Sequence, residues 1–341
     1  MHKKIGKQTV RFAKKVYIAG HYSLVVGKSE RDSKYSGYFD LVLEDDLLGQ
    51  DTWEKAEKMI FKTATLGAIN ACKCKAEEVD FLLGGDLLNQ IISAGFSARD
   101  IGIPFLGLYG ACSTMAETIL VGGMMIDGGF ADRVACTTSS HFATAERQFR
   151  MPLELGTPST TTSQKTVTGA GSDLLSSTDI NGEGIVLRGG TIGTVMEMGI
   201  PDANNMGAAM APAAAQTILT HFEDTGRDVT YYDKIITGDL GTFGSDMLAE
   251  VLNRANFDLK GRHMDCGAMI FEGLPDIKCG ASGCGCAASM LNGYFIKSML
   301  RGEFNKILFI PTGALLSKTS TLQGCNIPCV AHAVEIERAA G

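Results

Sequence analysis

The 341-residue sequence contains no Cys-x-x-Cys pair, no run of ~20 apolar residues of the kind that spans a bilayer, and no excess of positive charge. Each absence removes a class of protein. Without Cys-x-x-Cys, the two cysteine clusters, Cys72 with Cys74 and Cys279 with Cys284 and Cys286, fit zinc-ligand spacing poorly and read as small buried thiols. The longest apolar helical pattern follows Cys112 and is broken by Glu117, so the chain is not expected to cross a membrane by itself. A net charge of -7 and a sequence pI near 5.4 argue against non-specific attraction to nucleic acid and against strong binding to anionic lipid. The local exception is the run Lys3, Lys4, Lys7, Arg11, Lys14 and Lys15, most simply a solvated arm, with lipid contact as the alternative. The N-terminal region shows no small-residue cleavage pattern, so no signal peptide is expected, and ten cysteines then read as reduced thiols. No EF-hand pattern or tight carboxylate cluster appears, so no metal held directly by side chains is expected.

What is present is an alternation of helical and strand patterns, which defines an α/β protein. "TWEKAEKMIFKTATLGAINACK" places Trp53, Ala56, Ile60, Ala64 and Gly67 near helical spacing, with Asp51 or Thr52 available as a cap. "VDFLLGGDLL" and "DRVACTTSS" read as buried strands. The second half repeats the order. Asp80, Gly85, Asp86 and Leu87 recur as Asp233, Gly238, Asp239 and Leu240 at an offset of 153, and Cys112, Gly128 and Phe130 recur as Cys286, Gly302 and Phe304 at an offset of 174. Two ordered matches imply two similar halves, assigned to residues 1–180 and 181–341. Between them "MPLELGTPSTTTSQKTVTGAG" is poor in large apolar residues and reads as a surface loop for binding or an interface.

Cys112 follows a Gly-Ala pair at the start of a helical pattern. Unpaired N–H groups and the positive end of the helix dipole there favour a thiolate or a bound anion, while a small buried residue at a close backbone approach accounts for the same pattern.

Gly-Ala-Cys-Ser opening a helix within two similar α/β halves resembles the thiolase and ketoacyl-ACP synthase superfamily. "FLLGGDLLNQ", "GACSTMAETI", "TTSSHFATAERQFR", "MGAAMAPAAAQTI", "TGDLGTFGSDML" and "SGCGCAAS" are similar to the stage V sporulation protein AD family over nearly the whole chain. The resemblance implies a thiolase-like fold with layers in the order α-β-α-β-α. It also implies a cysteine at the position of Cys112 that carries an acyl group in condensing enzymes. Those enzymes add a His after the first strand of the second half and a His or Asn in the Gly-rich turn before the next helix. Here the first position holds Gly238 and Asp239, and the turn "IKCGASGCGCAAS" holds neither.

The expectation is therefore a non-catalytic binding protein whose site is formed by Cys112, Ser113, His141, Lys165, Asp239 and Ser282, with Cys112 as a vestigial nucleophile position. The resemblance implies the ligand dipicolinic acid, free or with calcium carried by the ligand. It also implies a role in uptake of that ligand into the developing spore, beside other subunits of a membrane transport assembly. No other cofactor and no nucleic acid are expected. A soluble or peripheral location at the spore inner membrane and a homodimer, with residues 137–150 crossing the interface, complete the expectation. Arg147 and Arg150 are further candidate cations or dimer contacts, and His263, Asp265 and Cys266 are placed in a loop near the cavity mouth. The alternative is an acyl-transfer enzyme that pairs Cys112 with a base such as His141; a purely structural subunit is a third reading.

Overall fold

The computed structural model describes residues 3–149 and 159–339. In the first half the strands are β1 (Lys4–Ile5), β2 (Thr9–Val26), β3 (Leu41–Leu43), β4 (Phe81–Gly85), β5 (Phe105–Gly107), β6 (Arg133–Ser140), β7 (Lys165–Thr166) and β8 (Gly169–Ser176). The second half follows with β9 (Ile185–Thr191), β10 (Lys234–Thr237), β11 (His263–Asp265), β12 (Ala281–Ser282), β13 (Lys306–Ile310), β14 (Thr312–Ala314), β15 (Cys329–Ala331) and β16 (Ala333–Arg338). One hydrogen-bonded path runs β11-β10-β13-β16-β9-β2-β8-β6-β4-β5. Outward from its centre the order is the same on both sides: β2, β8, β6, β4, β5 and β9, β16, β13, β10, β11. In each half the two inner strands, β2 and β8 or β9 and β16, are antiparallel to both neighbours on this path, while the outer pairs are parallel. The two halves join through the antiparallel pair β2 and β9. The repeat read in the sequence is thus a repeat of topology.

After the single turn α1 (Lys28–Arg31), α2 (Trp53–Ala71) and α3 (Ile92–Ile101) cover the outer face of the first half. α4 (Thr114–Gly128) lies inside and touches β4, β6 and β8 of one half and β9 and β16 of the other. α5 (Phe142–Phe149) follows β6, and α6 (Met206–Thr225) with α7 (Gly241–Arg254) covers the second half. α8 (Cys266–Ile270) precedes α9 (Cys284–Met290), which continues through a π-helical turn at Leu291–Phe295 into α10 (Ile296–Leu300); α11 (Lys318–Leu322) lies near the end. α9 packs on β6, β8 and α4, so the layers are helix, sheet, helix, sheet, helix.

Local chemistry explains these elements. Thr52 caps α2 by accepting the Lys55 N–H, and Ala56, Ile60, Phe61, Ala64 and Ala68 form its buried face. α4 is apolar nearly all round because it is covered on both sides: Met115, Ala116, Ile119, Leu120 and Ile126 are all buried. Each large side chain there contributes ~1.5–3 kcal/mol relative to exposure. Gly122 allows the approach, since a Cβ there would stand 3.0 Å from the Cys136 sulfur.

The repeat register differs from the sequence reading in one respect. Asp80 Oδ2 accepts the N–H groups of Asp132 and Arg133, and Asp233 Oδ2 those of Asn305 and Lys306. Paired strands therefore match at offsets of 153 and 173. A π-turn holds one extra residue, so before it the match shifts by one more. Cys112 then stands opposite Cys284, not Cys286. Each follows a residue of positive φ, Ala111 at 51° and Gly283 at 113°.

Candidate functional site

The chain leaves β5 and reaches α4 through a tight elbow at residues 108–113. Ala111 holds a left-handed conformation that costs energy for a residue with a Cβ, and the surrounding bonds enforce it. The Gly110 carbonyl accepts the Ser113 N–H (3.1 Å) and hydroxyl (2.7 Å). The Ala111 carbonyl accepts the Thr114 N–H (3.2 Å) and hydroxyl (2.6 Å), and also the Cys284 thiol (3.0 Å). The elbow thus fixes Cys112 immediately before the first turn of α4. The close approach of Gly313 completes the fit, because a Cβ there would stand 1.9 Å from the Gly110 carbonyl oxygen.

Cys112 forms one wall of a pocket of about 480 Å³, counting its open mouth. The other walls come from distant segments: Tyr109, Ala145, Glu146 and Phe149, Met206 and Met210 of α6, Leu87, Ala314 and Leu316. Thr166 and Ser282 face it together because β7 and β12 pair in that register. The lining is mostly apolar, and among the described residues it includes no histidine, lysine, arginine or asparagine.

Of the six residues expected at the site, Cys112 and Ser282 meet in this pocket. The other four do not line it. Ser113 is buried with its hydroxyl on the Gly110 carbonyl, where it closes the elbow. His141 is buried, its Nδ1 accepting the Ala143 N–H (3.1 Å) and its Nε2 facing the Asp46 carbonyl (2.8 Å). With Nδ1 as acceptor the proton sits on Nε2 and is donated to Asp46, so both nitrogens are used. Burial also pulls the imidazole pKa down, with the Asp46 contact acting against it. Lys165 alternates with Thr166 along β7 and points elsewhere: its Nζ donates to Ser29 Oγ (2.6 Å) between the rings of Phe142 and Phe271. There it balances the buried Glu30, whose carboxylate accepts the Thr168 N–H.

Asp239 is fully buried and turns toward the N–H groups of Gly283 and Thr312, at geometry too poor for either oxygen to count as hydrogen-bonded. Burial, then the neighbouring Asp265, pushes its carboxyl well above the usual range. Its counterpart Asp86 is better satisfied, accepting the N–H groups of Leu88 (2.8 Å) and Ala94 (2.7 Å), and burial raises it to about 6. The two carboxyls lie near the Cys284 thiol, itself pushed up by burial.

Other expected contributors are placed elsewhere. Arg147 pairs with Glu54 and lies 4.7 Å over the Trp53 ring, and Arg150 lies outside the described residues. His263 and Asp265 belong to β11 and not to a loop at the mouth; Asp265 caps α8, and Cys266 is buried. Residues 137–140 lie inside the sheet between β4 and β8, buried, and supply no interface. Tyr109, Thr166, Met206 and Met210 are site residues that sequence reasoning missed. No local signal marks them, since they meet only through the fold. Sequence reasoning set Cys112 against Cys286, and nothing in the hydrophobic pattern marks the π-turn that makes Cys284 its counterpart.

A repeated five-strand topology with a cysteine elbow opening a central helix defines a thiolase-like protein. Solved structures agree: the cerulenin-bound OleA of Xanthomonas campestris aligns with a TM-score of 0.63 at 13% identity, covering 96% of this chain and 97% of that one. The 3-oxoacyl-(acyl carrier protein) synthase III, FabH, of Xanthomonas oryzae aligns at 0.61 and 14% identity, over 96% and 100% of the two chains. More specifically, the chain belongs to the stage V sporulation protein AD family, whose model matches residues 6–337. The stage V sporulation protein AD of Bacillus subtilis (strain 168) is 40% identical over 336 residues, 98% of each chain.

Proposed function

We propose that this protein is a non-catalytic binding protein for dipicolinic acid, acting in its uptake into the developing spore beside a membrane transport assembly. The observation that carries this reading is the composition of the pocket wall around Cys112. Condensing enzymes set a histidine beside the thiol, and among the described residues the pocket wall holds none while His141 is engaged elsewhere; the carboxylate on that wall is Glu146. A buried free dianion, in turn, needs a counter-charge, and no lysine or arginine lines the pocket among the described residues. The calcium chelate of dipicolinate carries no net charge, so it suits this wall better than the free anion. Phe149, Met206 and Met210 offer apolar contact to its ring. The calcium arrives with the ligand in this reading; among the described residues no group of three or more His, Cys, Asp or Glu is placed to hold a metal ion.

Calorimetric titration with dipicolinate, with and without calcium and beside acetyl-CoA, tests the proposal. Saturable binding that tightens with calcium, without acyl transfer, is expected. The second reading, acyl transfer, is favoured by the elbow that fixes Cys112 in a pocket at the start of α4. A stable acyl adduct on Cys112 in intact-protein mass spectra, with turnover, replaces the first reading by the second.

A further inference from the structure

One face departs from the net negative charge of the chain. Lys3, Lys4, Lys7, Arg11, Lys14 and Lys15 are all exposed, and the first acidic residue in the sequence is Glu30. The fold sets Lys3 and Lys14 at the C-terminal end of α4, and it holds the Lys7 N–H on Asp224 in the last turn of α6. In the β1–β2 hairpin Lys4 pairs with Val10, and the Arg11 N–H donates to the Lys3 carbonyl (2.8 Å). Residues 12–15 then leave the register with β9 as a bulge. Asp127, in the last turn of α4, holds that bulge by accepting the Ala13 and Lys14 N–H groups, each at 2.8 Å. The Phe12 ring rests against Gly123.

Asp127 also pairs with Lys3 (2.7 Å), which uses one of the six charges. Lys7, Arg11, Lys14 and Lys15 make no ion pair among the described residues. Lys14 Nζ stands 3.4 Å from where a Cβ on Gly129 would lie. The next residue, Phe130, is 78% exposed, more than any other large apolar side chain among the described residues. The exposed acid nearest in sequence, Asp132, accepts the Ser177 hydroxyl (3.1 Å).

We propose that this face docks on an anionic lipid bilayer, with the basic side chains at the phosphate layer and Phe130 entering the interface. Strongly hydrated lysines on flexible stems suit diffuse, mobile headgroup charge, and an exposed aromatic beside them supplies the apolar half of an interfacial contact. The low overall pI is no obstacle, because attraction falls off within a Debye length and only charges near the surface count. α4 has fifteen residues, so its two ends lie ~22 Å apart at 1.5 Å per residue. Docking at its C-terminal end leaves the Cys112 pocket at the far end of the helix. The proposal does not rest on what that pocket binds.

Co-sedimentation of the full chain with vesicles tests it. Near physiological salt, the protein binds phosphatidylglycerol mixed into phosphatidylcholine, does not bind pure phosphatidylcholine, and is released by high salt. Each basic side chain is worth ~fivefold in partitioning, so Lys14→Glu with Lys15→Glu weakens binding by at least on the order of 25-fold. Phe130→Ser weakens it several-fold at unchanged charge. All three positions are exposed, and unchanged circular dichroism and melting curves establish that each variant is folded. A wild-type chain that fails to sediment with phosphatidylglycerol, or a charge-reversed variant that binds as the wild type does, overturns the proposal. Binding to an acidic partner protein but not to vesicles overturns it as well.

Discussion

Asp239 and Asp173 are fully buried carboxyl groups, and among the described residues neither oxygen of either has a hydrogen-bond partner. Burial pushes both well above the usual carboxylate range, so the folded chain favours the protonated acids. In the unfolded chain the same groups ionise near ~3.9. Between the unfolded and folded values the native state binds more protons, so this stabilisation is full at low pH and is lost as pH rises through the folded value. Asp173→Asn and Asp239→Asn remove the titrating group at nearly constant size. Denaturant unfolding at pH 5 and pH 8 is expected to show a smaller loss of stability in each variant than in the wild type; equal losses would show that these carboxyls do not titrate as described. Since Asp239 does not line the pocket, Asp239→Asn is also expected to leave the dipicolinate titration at neutral pH nearly unchanged.

Cys112 invites a different single-residue test. Its thiol is one patch of a wall built largely from other side chains, and alanine suits a helix start sterically. Cys112→Ala should retain the fold and weaken ligand binding by less than about tenfold, since such a loss corresponds to about 1.4 kcal/mol. Calorimetry on the variant checks this, and either an unfolded protein or unaltered affinity refutes it. The elbow at Cys112 was legible in the sequence because Gly, Ala and Cys before an apolar helical pattern report a local geometry. His141 and Lys165 were not, because their partners Asp46 and Ser29 come from elsewhere in the chain and only the fold brings them within reach.

At the scale of elements, the central helices decide how much room the chain allows. α9 crosses β8 at Gly171, where an added Cβ would stand 2.2 Å from the Ala288 carbonyl oxygen and 2.4 Å from its carbon. Backbone atoms cannot rotate away as a side chain can. Gly171→Ala should therefore cost about 3 kcal/mol, the upper end of ordinary overpacking, and appear as a clearly lowered melting temperature. A variant that melts with the wild type would mean that α9 shifts freely over the sheet. The two similar halves were readable from the repeat, since helices and strands recur in matching order; the layer order came only with the family resemblance, and the strand order has no mark in the sequence. The register around Cys284 was not, because a π-turn adds its extra residue without any mark in the hydrophobic pattern.

For the whole molecule, the edges of the sheet are where a second copy would pair. β5 ends one edge of the path and β11 the other. Around β5 the surface is apolar: Ile92, Phe96, Leu106 and Tyr109 are each 41–46% exposed, on α3, on β5 and in the elbow beyond it. An uncovered edge strand beside such a patch is a template for pairing, and a two-fold axis there would set β5 antiparallel to its copy and extend the sheet across both chains. This edge is a better interface than residues 137–150, whose first part is sealed inside the sheet. Because Tyr109 also lines the pocket, a second copy would abut the pocket mouth. Light scattering at micromolar concentration is expected to give twice the 36.2 kDa chain mass. Leu106→Asp puts a carboxylate on β5 at the centre of the patch, and the variant should run as a folded monomer with an unchanged dichroism spectrum. A monomeric wild type removes the dimer altogether. A Leu106→Asp protein that stays dimeric moves the interface away from β5, and the apolar patch would then need another partner.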